Sequence, residues 1–310
     1  MWKYILKRVL LIIPILLGIT LIIFFIMELS PGDPASTILG SGATQEAINM
    51  LNHELGYDRP PLERLFIYIK AVALGGDFGN SYMTRLPVID AILPCIPVSF
   101  ATAFFAISFA VCIGVPVGVL SAVKQYSLLD TLPTVTSLFL AALPGFWLGM
   151  VMLYVFSLKL GLLPAHGIET WKGFVLPTIA LGLPYGAQEM RFTRSSMLET
   201  IRQDYVRTAR AKGAGERRVI WKHALKNALL PVITVTGGNF AALLGGAVVT
   251  ETLFSIPGLG SLMVTSVKLK DIPVVMGCTF MLAAICSLIL LVVDLLYAAV
   301  DPRIKAKFSR

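Results

Sequence analysis

Residues 9–27 read VLLIIPILLGITLIIFFIM, a run of nineteen residues without a charged side chain. A helix needs about 20 predominantly apolar residues to cross the hydrocarbon core of a bilayer, so this run predicts a membrane-spanning helix. A basic start followed by an apolar run is also typical of a cleavable signal peptide. This run is longer than the apolar core of such a peptide, and no small-x-small cleavage site follows Met27 before Glu28. We therefore expect an uncleaved first helix.

The composition of the whole chain favours lipid as the solvent. Of the 310 residues, 56% are hydrophobic and 14% are charged, whereas about 25% are charged in an average soluble domain. The net charge is +8, but the basic residues lie in loops beside apolar stretches, without the interleaved aromatic residues of a nucleic-acid-binding groove. Membrane lipid is therefore an expected partner, and nucleic acid is not.

Cysteine and histidine are too scattered to predict a metal site or a disulfide framework. The four cysteines lie mostly in apolar runs, and neither they nor the three histidines show the spacing of metal ligands. The expected role of the cysteines is that of small apolar side chains in the core. These residues are Cys95, Cys112, Cys278 and Cys286, with His53, His166 and His223.

Six apolar segments predict an all-α, polytopic membrane protein with six transmembrane helices in a single transmembrane domain over residues 1–310. The predicted spans lie within residues 9–27, 91–123, 131–158, 173–188, 227–250 and 272–293, and the last is expected to extend to about Val300. The fourth is short and carries Pro177 and Pro184. It could continue as a helix past Arg191, or it could be a broken helix that is lined by protein.

The distribution of lysine and arginine predicts the orientation. If the N-terminus lies inside, eighteen of the 26 basic residues are cytoplasmic, ten of them between Arg191 and Lys226. Cytoplasmic loops carry the excess of basic residues, so the positive-inside rule predicts that both termini lie inside.

Two outer regions and one cytoplasmic segment connect the predicted spans. Residues 28–96 form the larger periplasmic region, where helix-like stretches at 45–55 and 62–72 predict a small folded lobe. This lobe could contact a periplasmic partner or only cap the helices. Residues 251–273 form a second, mostly apolar periplasmic loop that contains helix-breaking proline and glycine.

The basic segment 191–226 predicts two short helices that are separated by Gly213 and Gly215. A basic helix pair beside a membrane can be held by anionic lipid, or it can be a docking surface for a cytoplasmic partner. The residues alone leave both interpretations open.

The stretch YVRTARAKG at 205–213, continued by HALKNALLP at 223–231, resembles the EAA loop of binding-protein-dependent ABC importer permeases. It is most similar to the dipeptide, oligopeptide and nickel branch, and in particular to the first of its two permease subunits. Further resemblances run along nearly the whole chain, in an order and spacing that are specific together. They are YILKR at 4–8, PGDP at 31–34, LGYDRP at 55–60, GDFGNS at 76–81, RSSM at 194–197, ETLFSIPGLG at 251–260, and VDLL at 293–296 with DPR at 301–303.

This resemblance implies that the segment is a coupling helix that inserts into a cleft of a cytoplasmic ATPase subunit. Arg207, Thr208 and Ala209 occupy the Glu-Ala-Ala positions, so a carboxylate contact of the general pattern is not expected at Arg207. The implied coupling residues are Asp204, Tyr205, Val206, Arg207, Thr208, Ala209, Arg210, Ala211, Lys212, Gly213, Glu216, Arg217, His223 and Leu225.

The resemblance also implies a set of partners: a second homologous permease, two ATP-binding subunits and an extracytoplasmic substrate-binding protein. The chain has no GxxxxGK[ST] motif, so we expect ATP to be bound by partner subunits, with no cofactor and no enzymatic activity in this chain. The implied function is import of peptides across the bacterial cytoplasmic membrane by alternating access, with glutathione, nickel or another metal chelate as alternative substrates.

Two other classes of protein were considered from the residues. An ion-coupled secondary transporter is expected to carry ionisable residues at bilayer depth, and the predicted spans carry almost none. Asp294 is the exception, and we expect it to be a local polar anchor near Tyr297, Asp301 and Arg303. A membrane-embedded enzyme would need a nucleophile with a base, or metal ligands, and no such arrangement is evident.

Overall fold

The computed structural model describes residues 2–40 and 42–300, with side chains described for 5–40 and 42–295. This part of the chain is all-α, as predicted, apart from an isolated antiparallel bridge between Asn80 and Pro87. The α-helices are α1 Trp2–Leu29, α2 Pro34–Leu39, α3 Gln45–Glu54, α4 Pro61–Gly75, α5 Val88–Ile92, α6 Cys95–Val123, α7 Leu128–Ala142, α8 Gly145–Met152, α9 Val175–Ile201, α10 Asp204–Ala211, α11 Glu216–Arg218, α12 Leu225–Leu253, α13 Leu259–Lys268 and α14 Ile272–Val300.

Four predicted spans coincide with helices that are long and apolar enough to cross a membrane. They are α1, α6, α12 and α14, and the bent pair α7–α8 can supply a fifth. The fourth predicted span is α9, which continues unbroken through Pro184 and past Arg191 to Ile201. Charged residues in its second half make α9 less apolar than the others. The count of six spans and the orientation therefore remain predictions.

The third predicted span is not one straight helix. α7 ends at Ala142, α8 begins at Gly145, and the two axes differ by 99°. The break lies at Leu143 and Pro144, whose ψ angles of 131° and 129° are extended. Proline restricts the residue before it to extended conformations and has no N–H to donate, so it ends α7. The predicted third span is therefore divided at this point, and whether the bent pair crosses the membrane as one span stays a prediction.

Glycine allows α6 and α9 to approach at backbone distance along the centre of the fold. A Cβ atom at Gly114 would lie 2.6 Å from the backbone oxygen of Gly186, and one at Gly118 would lie 2.6 Å from that of Met190. Small residues are used in this way in membrane helix pairs, where close van der Waals packing replaces the hydrophobic effect. These contacts hold α9 at a fixed rotation relative to α6.

We expect Gly114→Ala to destabilise the protein by about 1–3 kcal/mol, because the new methyl group meets backbone that cannot rotate away. Gly238→Ala is the matched control, since a Cβ atom there meets nothing within 4 Å in this chain. The control should be neutral or slightly stabilising, because alanine favours helix over glycine. The free energy of unfolding in mixed detergent and dodecyl sulfate micelles measures both variants. Equal effects at the two positions would contradict the packing argument.

The outer region contains the two predicted helices, as α3 and α4, and is folded against the bundle. Arg64 on α4 donates to Glu28 at 2.6 Å, and its guanidinium lies 4.1 Å from the ring centre of Tyr57. The carboxylate of Asp271, next to α14, accepts the backbone N–H of Tyr82 at 2.9 Å. These contacts tie the lobe to the ends of α1 and α14. Whether it also touches a periplasmic partner stays a prediction.

Candidate functional site

The predicted coupling loop is a compact helix–turn–helix between α9 and α12. Gln203 precedes α10, which ends at Ala211, and the chain turns over residues 212–215. Gly213 has a φ of 79°, and its N–H donates to the carbonyl of Arg210 at 2.9 Å. This left-handed conformation costs other L-residues roughly 1–2 kcal/mol. The two predicted helices are present, but the second is not separate, since α11 continues through a π-helical turn at Val219–Ala224 into α12.

The inner face of this loop is docked onto the membrane helices. Val206 of α10 and Val219 are fully buried, and they pack with Met197 of α9 and with Val119 and Ala122 of α6. Burial of a valine side chain contributes roughly 1.5–3 kcal/mol. The loop is therefore packed against α6, α9 and α12 and does not project freely from the bundle.

The outer face of the loop is exposed and basic. Of the predicted coupling residues, Val206 and Leu225 are buried and Ala209, Arg210 and His223 are half-buried. Trp221 is not among the predicted coupling residues, and its exposed indole lies beside Arg217 and Arg218. The exposed members of the predicted set are Asp204, Tyr205, Arg207, Thr208, Ala211, Lys212, Gly213, Glu216 and Arg217.

An ion pair closes the turn between α10 and α11. Arg210 donates from Nη2 and Nε to the carboxylate of Glu216 at 2.8 and 3.1 Å. This hydrogen bonding to Glu216 raises the pKa of Arg210. Both side chains are partly exposed, so the pair contributes about 0–1 kcal/mol. Its role is to orient the turn around Gly213 rather than to stabilise the fold.

A buried carboxylate–guanidinium pair joins α7 to α9 at the same end of the bundle. Asp130 accepts two hydrogen bonds from Arg194, at 2.6 and 2.8 Å, and a third from the backbone N–H of Tyr126 at 2.9 Å. Ser121 of α6 donates to the same carboxylate. Arg194 lies in the RSSM stretch, but that stretch does not indicate its partner, which lies 64 residues away.

Charge inside the long helices is more frequent than the sequence analysis concluded. Glu189 of α9 is fully buried, and it accepts from Asn239 at 2.9 Å and from Thr236 at 3.0 Å. The predicted fourth span ended at Gln188, one residue too early to include it. Asp294 has Arg8 of α1 as an ion-pair partner at 2.9 Å, so the expected polar anchor is present. The predicted neighbours of Asp294 lie outside what the structure describes: the side chain of Tyr297, and both Asp301 and Arg303.

A second buried carboxylate organises the connection between α12 and α13. Glu251 accepts from the hydroxyl of Ser99 at 2.6 Å and from the backbone N–H groups of Gly260 and Ser261 at 2.8 and 3.2 Å. The Ser99 hydroxyl in turn accepts the N–H of Leu259 at 2.8 Å. A carboxylate at the first turn of α13 satisfies N–H groups that a helix start leaves free. The predicted outer loop 251–273 is thus largely helical and clamped to α6.

Within residues 2–40 and 42–300, no three side chains of histidine, cysteine, aspartate or glutamate are grouped so that they could hold a metal ion.

Comparison with known proteins agrees with this architecture. Residues 114–306 match the family model described as "Binding-protein-dependent transport system inner membrane component". Residues 1–111 match the accompanying N-terminal model, "Binding-prot-dependent transport system membrane comp, N-term". The chain belongs to this family. It is therefore an ABC importer permease and a multi-pass protein of the cytoplasmic membrane, and the relatives described next show that it belongs to the dipeptide and oligopeptide branch.

Relatives of this permease are similar along their whole length. The "Dipeptide transport system permease protein DppB" of Alkalihalophilus pseudofirmus is 42% identical over 333 residues, covering 98% of this chain and all of the relative. The "Glutathione transport system permease protein GsiC" of Escherichia coli K12 is 39% identical over 307 residues, covering 99% of this chain and all of the relative.

Solved structures support the fold of the permease. An inward-facing MetNI methionine ABC transporter chain superposes with a TM-score of 0.55 at 18% identity, covering 69% of this chain and 97% of the other. An amino acid ABC transporter chain gives 0.52 at 15% identity, covering 69% and 94%. At these identities the likeness concerns the fold alone.

Proposed function

We propose that this permease imports peptides by alternating access, together with a second homologous permease, two ATP-binding subunits and an extracytoplasmic binding protein. ATP is bound and hydrolysed by the partner subunits, and the chain itself carries no cofactor. The observation that carries the proposal is the coupling loop, a basic knob that is exposed on its outer face and rigidly docked on its inner face. Each permease chain has one such loop, so a pair of permeases provides one loop for each of two ATPase subunits.

The geometry of the loop is suited to receiving force from a partner. The exposed Tyr205 and Trp221 offer aromatic surface beside arginine and lysine, a composition enriched at protein interfaces. The basic residues steer the loop toward an acidic surface. Because Val206 is buried against α6 and α9, movement of α10 reorients the membrane helices as a unit. The residues proposed to contact the ATPase are the exposed coupling residues given above.

The substrate class is inferred from the relatives. One is named for dipeptide transport and another for glutathione transport, and glutathione is itself a peptide. A metal chelate remains an alternative cargo. Competition between a dipeptide, glutathione and a nickel chelate in one uptake experiment separates these substrates.

The proposal is tested by assembling the importer in proteoliposomes and measuring uptake with ATP inside the vesicles. Partners are first recovered from the native host by affinity purification of this chain in mild detergent and identified by mass spectrometry. We expect ATPase subunits and a second permease to co-purify, and uptake of a labelled dipeptide to require both ATP and the binding protein. A chain that purifies alone, or uptake without nucleotide, would contradict the proposed ATP-driven assembly.

Two proline substitutions test in this assay whether the turn at Gly213 is the coupling site. Gly213→Pro is expected to abolish recovery of the ATPase subunits and to lower uptake at least tenfold, because proline cannot adopt a φ of 79° and removes the N–H bonded to Arg210. Gly215→Pro is the control, since Gly215 has a φ of −60°, which proline adopts, at the N-cap of α11. Wild-type coupling in the first variant, or equal loss in both, would contradict the proposed site.

A further inference from the structure

A cavity with one polar wall opens between the α7–α8 bend, α9 and α12. Its volume is about 600 Å³, enough for a small peptide, and three polar side chains of α9 line one wall: Tyr185, Gln188 and Arg191. Residues spaced by three lie on one face of a helix, so these side chains form a ladder along the cavity. The opposite wall is formed by α12, where a Cβ atom at Gly246 would lie 3.9 Å from the Tyr185 hydroxyl. A larger side chain there would reduce the space before Tyr185.

The ladder is unpaired in the part of the chain that the structure describes. Arg191 and Gln188 form no side-chain hydrogen bond or ion pair there, and both are half-buried. Arg194, only three residues further along α9, has its charge matched by Asp130. α9 therefore carries two arginines in different surroundings. The guanidinium of Arg194 is paired with a carboxylate, and that of Arg191 faces the cavity.

Arg191 lies in the interior of α9, although its charge placed it at the start of the predicted cytoplasmic segment 191–226. It lies sixteen residues after Val175 and ten before Ile201, about 24 Å and 15 Å from the two ends of α9 at a rise of 1.5 Å per residue. An ionisable residue that faces a cavity from inside a helix of a membrane protein is a candidate functional residue by default. Lipid snorkelling does not explain Arg191, because the side chain lines the cavity.

The charge of the side chains that line the cavity indicates which kind of ligand it binds. Its lining includes no carboxylate, and the neighbouring Glu189 is directed to Asn239 and Thr236 of α12. The cavity therefore presents one positive charge together with the amide and hydroxyl donors of Gln188 and Tyr185. A guanidinium fork binds a carboxylate in two parallel hydrogen bonds.

We propose that Arg191, assisted by Gln188 and Tyr185, binds the carboxylate of the substrate as it passes through this cavity. The cavity is this permease's contribution to the translocation pathway, and the inference rests on the proposed function. The recognised chemistry is a C-terminal or side-chain carboxylate of a short peptide, so a peptide amide loses the contact with Arg191.

The test compares maximal uptake of one labelled dipeptide as its free acid and as its C-terminal amide. The complete importer in proteoliposomes is supplied with saturating, preloaded binding protein, so differences in capture outside are removed. In Arg191→Gln we expect uptake of the free acid to fall about tenfold or more, the loss typical of a charge-assisted hydrogen bond, and uptake of the amide to change less than twofold. Arg191→Lys should recover part of the free-acid rate, and Lys172→Gln, which removes an exposed charge before α9, should match the wild type.

Each outcome decides the inference. ATP hydrolysis stimulated by loaded binding protein is measured in parallel, and it should persist in Arg191→Gln because the coupling loop is intact. Equal loss of acid and amide uptake, or loss of stimulated hydrolysis, would make Arg191 structural and overturn the inference, as would wild-type uptake of the acid by the variant. If the wild type does not carry the amide, the free-acid rates of the glutamine and lysine variants decide alone. Absence of ATP-dependent dipeptide uptake in the wild type overturns the proposed function instead.

Discussion

Replacing Asp130 with alanine is expected to lower the free energy of unfolding by about 3–5 kcal/mol, the cost typical of leaving one partner of a buried ion pair alone. Asp130 is almost fully buried and accepts two hydrogen bonds from Arg194 and one from the backbone of Tyr126. Its loss leaves a guanidinium at the α7–α9 junction without its carboxylate. Unfolding by dodecyl sulfate in mixed micelles, followed by circular dichroism, measures the change.

The double variant Asp130→Ala with Arg194→Met separates the pair from the packing around it. Because no unpaired charge remains, we expect the double variant to be more stable than Asp130→Ala alone. A loss that equals the sum of the two single losses would show that the residues do not interact. In that case the ion pair would not hold α7 against α9.

Glu251→Ala is expected to cost about 3 kcal/mol or more and to loosen the connection between α12 and α13. The substitution removes the acceptor for the N–H groups of Gly260 and Ser261 and for the Ser99 hydroxyl, and each buried group without a partner costs about 1–3 kcal/mol. Leu259, which is fully buried, belongs to the core cluster against which Cys95 packs. Cys95 should therefore become reactive toward maleimide in the folded protein.

Peptide mapping of the labelled cysteine gives the local readout, and unfolding in mixed micelles gives the free energy. Glu251→Gln is the matched control, since it keeps the shape and one acceptor oxygen and should lose roughly half as much stability. Unchanged labelling of Cys95 in Glu251→Ala would show that the carboxylate does not clamp α13.

Much of the architecture was predictable because its signals are local. Hydropathy over about 20 residues located α1, α6, α12 and α14, and helix breakers located the turn at Gly213. Each of these features depends on neighbours within a few positions. The bend between α7 and α8 also has a local cause, in Pro144, but the charge-free run around it concealed the break. α9 was recognised only in part, since charge in its second half ended the predicted span.

The sequence by itself determined that this chain is a helical membrane protein with one basic helix–turn–helix, and the order of its motifs indicated the importer family. Only the tertiary structure decided which charges are buried, which are paired and which face open space. Asp130 meets Arg194 across 64 positions, and Ser99 meets Glu251 across 152. Hydropathy assigns Arg191 and Arg194 the same value. They differ because the rotation of α9, set by its contact with the glycines of α6, turns one toward a carboxylate and the other toward a cavity.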